Sequence, residues 1–193
     1  TPQQRRAART RLLEAAVAQL ADAGMRGLTH RRVEQRAGLA QGSAKYYFGT
    51  LDVLVESVLQ HLLAEELPLV LEVSPTEAAA ADAGDPSDLL ARAQAVVDAV
   101  SARPDSVRAR FHLYLHASGD PRLQEIVTAA RDVMVASIAA SVPGPHAEVG
   151  ARFVCALVDG MLLDQVSAPS DVVDEHAARY ILEAGAAGAR LAQ

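Results

Sequence analysis

The sequence predicts an all-α protein of about nine helices, with a small N-terminal part and a larger C-terminal part. Hydrophobic residues make up 50% of the 193 positions, but aromatic residues only 4%, and Trp is absent. Strands recruit aromatic and β-branched residues, whereas this chain is rich in Ala and Leu, which favour helices. Apolar residues also recur at intervals of three and four, and Pro and Gly separate the periodic segments.

The first three helices are marked by their ends. Residues 9–20 predict an amphipathic first helix that Gly24 stops. Thr29 is suited to cap a second, short helix, and Gly38 to end it in a left-handed conformation. A third helix is predicted over residues 41–48. Two short helices joined by such a turn have the proportions of a helix-turn-helix, whose second helix enters the major groove of DNA.

The rest of the chain predicts six more helices. Thr50 and Asp52 open a fourth helix, which must end or kink near Pro68. Residues 74–88 combine Pro, Gly, Asp and Ala, and predict a long, mobile connection. Five periodic segments follow, separated by prolines and Gly-Pro turns, at residues 89–102, 106–117, 122–141, 146–166 and 172–191.

Charge is distributed unevenly along the chain. Residues 1–48 carry nine basic and three acidic side chains, a net charge of +6, although the whole chain carries −6. The remainder therefore carries −12. A basic head on an acidic body suits binding to DNA phosphates, but a solvated basic helix without a partner fits the charge pattern equally well.

Several classes of protein are disfavoured. The basic start of the chain leads into an amphipathic segment rather than the apolar run of a signal peptide, and no stretch approaches the roughly 20 apolar residues of a membrane span. The single cysteine, Cys155, has no intramolecular partner, so we expect a cytoplasmic protein. An all-helical enzyme with an anionic substrate and a helical protein-binding module stay open as alternatives. No G-x-S-x-G or H-E-x-x-H motif supports the enzyme.

The N-terminal residues resemble the TetR family of bacterial repressors. That family combines an apolar first helix, a Thr-led second helix, an Ala-Gly turn and a short third helix ending in aromatic residues. Here the pattern is carried without insertion by RLLEAAVAQLADAG, by GLTHRRVEQRAGLAQGSAKYYF and by TLDVL in the fourth helix. The resemblance covers about residues 9–60, and beyond them it rests on helix count and on the Asp159-Gly160 pair.

The resemblance implies a helix-turn-helix DNA-binding domain over residues 1–50 and a ligand-binding and dimerisation domain over residues 51–193. It implies a sequence-specific transcriptional regulator rather than an enzyme. Such a protein acts as a homodimeric repressor on double-stranded operator DNA, and a small-molecule inducer releases it. We expect no cofactor, no metal ion and no membrane partner.

Carried over position by position, the resemblance implies two groups of DNA contacts. The positions facing base edges are Arg31, Gln41, Gly42 and Ser43, since Gln pairs well with adenine and Arg with guanine. The positions contacting phosphates, where a hydroxyl or ring nitrogen supplies a donor, are His30, Tyr46 and Tyr47.

Two positions depart from the family pattern. Lys45 stands where the family usually has Tyr, and Leu51 stands where it tends to have Lys. The Lys45 cation offers a replacement for the missing charge, with a changed register of phosphate contacts. Structural alternatives are also open. Phe48 is the better candidate for a core residue, Tyr46 fits the core and a phosphate contact equally, and Arg31 is also explained as a solvated charge.

A stripe of polar side chains on segment 106–117 is a candidate for lining a ligand cavity. Arg108, His112 and His116 share one helical face. Two His residues alone are weak support for a metal site, and a partly exposed surface also explains them. The full candidate ligand site comprises Arg108, Phe111, His112, Leu115, His116, Asp159 and Met161.

The C-terminal segments contain further notable residues. Asp159 and Asp164 fall in an apolar segment, where a buried carboxylate needs a partner. Asp159 is suited either to a helix crossing or to a polar group of a ligand, and Cys155 to a small buried apolar position. Numerous Ala and Gly residues let the last two helices approach closely, and the resemblance implies that these helices form a four-helix dimer interface.

Overall fold

The computed structural model describes residues 1–73, 86–140, 145–168 and 177–191. Over these residues the chain forms nine helices and no strand, which confirms the predicted fold class. None of the helices in this described part is both long and apolar enough to span a bilayer. The helices are α1 (Pro2–Gly27), α2 (His30–Ala37), α3 (Ser43–Phe48), α4 (Leu51–Val73), α5 (Pro86–Ser101), α6 (Pro104–Ala117), α7 (Pro121–Ala139), α8 (Ala147–Ser167) and α9 (Ala177–Leu191).

Most predicted helix ends lie within a few residues of the observed ones. Gly24 interrupts α1 with φ 59° and ψ −167°, as predicted, although one more helical turn continues to Gly27. In the predicted connection, residues 74–85 lie outside the described residues, and residues 86–88 already form the start of α5.

The sequence predicts that the fourth helix ends or kinks near Pro68, and the helix does not end there. α4 continues through Pro68 to Val73. An interior proline removes one backbone hydrogen bond and crowds the preceding turn, at a cost of about 3 kcal/mol. Leu63 and Glu66 on the neighbouring turns are buried, so packing of those turns outweighs this cost.

The chain divides into two compact units. The first consists of Thr1–Ala64 with Pro104–Val127, and the second of Glu65–Arg103 with Thr128–Gln193. The division falls inside α4 and inside α7. The boundary expected at residue 50 separates two functions rather than two compact units, and it stays a prediction.

The first unit is built around α1, which packs against α6, α2 and α3. Its apolar face is the predicted one, because Leu12, Leu13, Ala16, Val17 and Leu20 are all buried. The other helices of this unit contribute fully buried side chains at Val33, Leu54, Val58, Val107 and Leu113. The core therefore fixes the position of α2 and α3 against α1.

In the second unit, α9 packs against α8 and α5. Glycine permits this close contact. A Cβ on Gly185 would lie 2.5 Å from Val154 Cγ2 and 3.4 Å from the Gly150 carbonyl oxygen, and one on Gly188 would lie 2.8 Å from Phe153 Cδ2. Gly185 and Gly188 thus act within one protomer, where they bring the backbones of α8 and α9 together.

Candidate nucleic-acid interface

Helices α2 and α3 and the turn between them form a helix-turn-helix. Thr29 Oγ1 accepts the Arg32 amide at 3.3 Å and caps α2, while Gly38 ends it with φ 62° and ψ 36°, so both predicted caps are confirmed. Gly42, with φ 91°, precedes α3 as its N-cap. A left-handed backbone costs ordinary residues roughly 1–2 kcal/mol but costs glycine little, so these two glycines fix the shape of the turn.

The positions implied to face base edges lie at the start of both helices. Arg31 is exposed on the first turn of α2, and Gln41 is exposed in the turn just before α3. Ser43 is half-buried and is the first residue of α3. A guanidinium, an amide and a hydroxyl are thus presented with the polarity that base edges require.

The aromatic residues of α3 divide between surface and core. Tyr46 is 69% exposed, which excludes the core alternative for this side chain, whereas Phe48 is 4% exposed and is the predicted core residue. The half-buried Tyr47 ring lies 5.1 Å from the Tyr46 ring and 6.4 Å from the Phe48 ring, measured between centroids. Phe48 therefore anchors α3, and Tyr46 is free to reach outward.

Lys45 and His30 differ in how much of each side chain is accessible. Lys45 is exposed on α3. His30 is half-buried at the start of α2, and within the described part of the chain its shielded Nε2 has no hydrogen-bond partner. Any donation by His30 to a phosphate must therefore come from Nδ1.

Not all of the positive charge of residues 1–48 faces outward in the same way. Several guanidinium groups contact neighbouring parts of the first unit: Arg9 over the Phe48 ring, Arg11 on the Ala37 carbonyl, Arg32 on the Gly27 carbonyl and Arg36 on the Asp22 carboxylate. Within the described residues, Arg31 and Lys45 form no ion pair. These two cations are consequently available to an external anion. The net charge of residues 1–48 does not show which cations are available in this way.

One residue of this region was missed by sequence reasoning. Glu34 is only 4% exposed, although Glu side chains are rarely buried. Its Oε1 accepts the Ala44 amide at 2.9 Å and so links α2 to the first turn of α3. The sequence signal that could have revealed it is its place beside Val33, on the apolar face of a short helix.

Part of the candidate ligand site lines a cleft in the first unit. His112, Leu115 and His116 of α6 face residues 23–26 of α1 across a cleft of about 440 Å³. The His112 ring packs against the interruption in α1, because a Cβ on Gly24 would lie 3.1 Å from its Cε1. No cluster of three or more His, Cys, Asp or Glu side chains suited to a metal ion occurs in the described ranges.

The remaining residues of the candidate ligand site lie elsewhere. Arg108 binds Asp105 on the same helix at 2.6 Å, and Phe111 lies under the Arg110 guanidinium. In the second unit, Met161 packs against an apolar cluster of α5, α8 and α9.

The two acidic residues of α8 have different surroundings. Asp159 accepts a hydrogen bond from Arg131 at 2.5 Å, which supplies the partner that a half-buried carboxylate needs. Asp164 is exposed, so the expectation of a buried carboxylate there is wrong: it lies on the outer face of the helix. Cys155 is buried as predicted, and burial raises the pKa of its thiol above the ordinary value, with Arg131 opposing the shift.

Two family models match the sequence. The model described as bacterial regulatory proteins of the tetR family matches residues 12–58, which contain the helix-turn-helix. The model described as the tetracyclin repressor-like C-terminal domain matches residues 84–187, more than half of the chain.

Individual proteins agree with these matches. The HTH-type transcriptional regulator BetI of Burkholderia lata is 29% identical over 160 residues, covering 80% of each chain. A transcriptional regulator from Rhodococcus sp. Rha1 has a similar structure, with a TM-score of 0.75 and 25% identity over 93% of this chain and 94% of that one. The multidrug binding protein EbrR, solved with malachite green, gives a TM-score of 0.67 and 28% identity over 92% of this chain and 96% of that one.

Proposed function

Because this chain belongs to the TetR family of bacterial transcriptional regulators, we propose that it acts as a homodimeric repressor that a small molecule releases from its operator. The family consists of DNA-binding regulators of transcription and not of enzymes. The observation that carries the proposal is the helix-turn-helix, in which α3 presents exposed Lys45 and Tyr46 next to the exposed Gln41.

The DNA contacts are proposed from exposure and chemistry. Arg31, Gln41 and Ser43 read base edges, and Gly42 lets the backbone approach the duplex because it has no side chain. Phosphates are held by an ammonium group, by hydroxyl groups and by a ring nitrogen, which supply affinity without sequence preference. These are Lys45, Tyr46, Tyr47 and Nδ1 of His30.

The proposed dimer partner is a second copy of this chain, packed on an apolar stripe of α8. The stripe comprises Val149, Phe153, Leu157 and Leu163, which share one helical face and are 36%, 54%, 39% and 47% exposed. Such a stripe on a soluble protein marks an interaction surface. Gly160 lies on the same face, and among the described residues nothing beyond the adjacent backbone of its own helix comes within 4 Å of the position of a Cβ there, which leaves room for a partner helix.

Dimerisation is also what the DNA function requires. One recognition helix of six residues contacts too few bases to select a site, and a two-fold dimer doubles the contacts. A dimer therefore accounts both for the exposed apolar stripe of α8 and for the short length of α3.

The inducer is proposed to be a small molecule of low polarity, bound by the helical body. His112, Leu115 and His116 contribute the cleft against α1, and Arg108 and Phe111 extend the same helix. Asp159 and Met161 lie in the second unit and are not part of this cleft, so their role in ligand binding stays a prediction. EbrR, which is 28% identical, binds malachite green, so this dye is a suitable first probe.

Selection of bound duplexes from a random pool, followed by fluorescence anisotropy, tests the DNA function. We expect an inverted repeat whose half-site centres lie about 34 Å apart, or somewhat more. Affinity should fall steeply between about 50 and 200 mM salt, because Lys and Arg displace counterions from phosphates. A single asymmetric half-site would contradict the dimer, and binding that ignores salt would contradict the phosphate contacts.

Titration of malachite green with and without operator tests induction. Operator must weaken dye binding by the same factor by which dye weakens operator binding, and a hundredfold effect needs about 2.7 kcal/mol of differential affinity. A titration of the duplex alone corrects for dye bound to DNA. His116→Ala should weaken dye binding, whereas His146→Ala, at the start of α8, serves as the matched control. Equal dye affinity with and without operator would rule out release by this ligand.

A further inference from the structure

Glu34 combines burial with a specific long-range contact. Its side chain is 4% exposed on α2, and its Oε1 lies 2.9 Å from the amide of Ala44, which is itself fully buried. Its backbone carbonyl accepts the amide of Leu39 at 3.0 Å in the turn between the helices. Burying a carboxylate is costly unless hydrogen bonds compensate, so the contact with Ala44 is part of what keeps this side chain inside.

Helix α3 needs such a contact because its own capping is weak. It has only six residues, and its N-cap, Gly42, offers no side chain to the first-turn amides. The Ser43 amide donates a hydrogen bond to the Ala40 carbonyl oxygen at 3.1 Å, and the Tyr46 amide donates one to the Gly42 carbonyl oxygen at 2.9 Å. The Ala44 amide has the Glu34 carboxylate instead. Glu34 therefore performs from α2 the task that a Ser, Thr or Asp N-cap performs from within a helix.

We propose that Glu34 is a positioning residue for sequence-specific DNA binding, because its carboxylate sets the position of the first turn of α3 relative to α2. This inference rests on the proposed base contacts. Gln41 and Ser43 lie within three residues of Ala44, and Arg31 lies on the helix that carries Glu34. Base contacts require positions held to about 0.5 Å, whereas long cations follow a phosphate through larger shifts.

The charge of Glu34 has a second consequence. The start of a helix carries partial positive charge that attracts anions. Here the carboxylate already occupies the Ala44 amide. The backbone at the start of α3 is thus a poor phosphate anchor, and the side chains of the turn are left to read the bases.

Affinities of the full chain for a selected operator and for a scrambled duplex of equal length test this role. Glu34→Ala should lower the ratio of specific to non-specific affinity about tenfold, within the range that one lost bidentate base contact produces, while the salt dependence stays unchanged. Glu34→Gln keeps an acceptor oxygen and should restore most of the ratio. In amide exchange measured by NMR, Ala44 should exchange faster in Glu34→Ala than in Glu34→Gln.

Thr50→Ala provides the matched control, since it removes the cap of α4, where Thr50 Oγ1 accepts the Val53 amide at 3.3 Å. This variant loses stability without touching α3, so its specificity ratio should equal that of the parent. A parental ratio in folded Glu34→Ala would overturn the proposal, and so would an equal loss in Thr50→Ala.

If Glu34→Ala does not fold, Glu34→Gln and Glu34→Asp decide the question. Asp keeps the charge but is one methylene too short, so the ratio must be higher for Gln than for Asp, and the reverse order overturns the proposal. Absence of any sequence preference in the parent protein is a separate result, which contradicts the proposed function itself.

Discussion

The α2–α3 surface and the α8–α9 pair position their helices by opposite means. In the first, side chains reach between helices, as Glu34 does to Ala44 and Arg11 does to Ala37. In the second, side chains are absent at the contact, since Gly185 and Gly188 let α9 approach α8 closely. The exposed faces also differ. The α2–α3 surface presents cations and amides, whereas the α8–α9 pair presents an apolar stripe. Their chemistry predicts different partners, nucleic acid for the first and a second copy for the second.

The largest expected effect follows from placing charge in the apolar stripe. The double change Leu157→Glu and Leu163→Glu should convert the proposed dimer to monomers, because carboxylates would be buried without partners. Linked half-sites gain about 100-fold or more from effective concentration, and operator affinity should fall by a similar factor. Analytical ultracentrifugation and anisotropy measure the two effects.

Val133→Glu is the control for these changes. Val133 is 45% exposed on α7 and lies outside the stripe. This variant should remain dimeric and bind operator normally. Dimers that persist in the double variant would show that the second copy packs on another surface.

On the α2–α3 surface, variants that lose a proposed base contact should differ in DNA binding from variants that lose a proposed phosphate contact. Gln41→Ala should cost about 1–3 kcal/mol for each half-site of the selected operator and relax preference at one base position in each. Lys45→Ala should weaken all duplexes alike and reduce the salt slope by about one for each half-site, or about two for the dimer. Anisotropy across a salt series with operator and scrambled duplexes distinguishes them. If sequence preference depends on Lys45 and not on Gln41, α3 is rotated relative to our assignment.

The close approach of α8 and α9 predicts an asymmetry between two glycines. Gly185→Ala should destabilise the fold by about 1–3 kcal/mol, because its Cβ would overlap Val154 Cγ2 at 2.5 Å. In the part of the chain that the structure describes, a Cβ on Gly160 meets nothing within 4 Å beyond the adjacent backbone of its own helix. Gly160→Ala also removes backbone entropy from the unfolded chain, so stability should be unchanged or higher. Urea unfolding at low protein concentration compares them. Equal losses would mean that the α8–α9 contact does not depend on glycine.

The smallest expected effect concerns Cys155, which tests how closed the interior of the second unit is. Burial raises the pKa of the thiol above 9.0, so the unfolded chain ionises first as pH rises. The contribution of this group to stability is therefore complete below about pH 9 and is lost above it. The stability difference between the parent and Cys155→Ala should narrow from pH 8 to pH 10. Rapid alkylation of the native thiol at pH 8 would contradict a closed interior.

The sequence predicted most of the fold and part of the candidate site. The helix class, the ends at Thr29 and Gly38 and the core role of Phe48 were predictable, because periodicity and capping depend on residues a few positions apart. The continuation of α4 through Pro68 was not, since packing of the surrounding turns opposes a local penalty. The exposure of Tyr46 was also undecided, because either face of a short helix is compatible with an aromatic residue.

By itself, the sequence determined the helical fold class, most of the helix ends and the basic charge of residues 1–48. Tertiary structure alone decided which charged groups have partners on other helices. Arg131 meets Asp159 across 28 positions, and Arg11 meets Ala37 across 26. No local pattern encodes such pairs, because they form only when packed helices bring distant residues within hydrogen-bond reach. For the same reason, the burial of Glu34 against Ala44 became visible only in the folded chain.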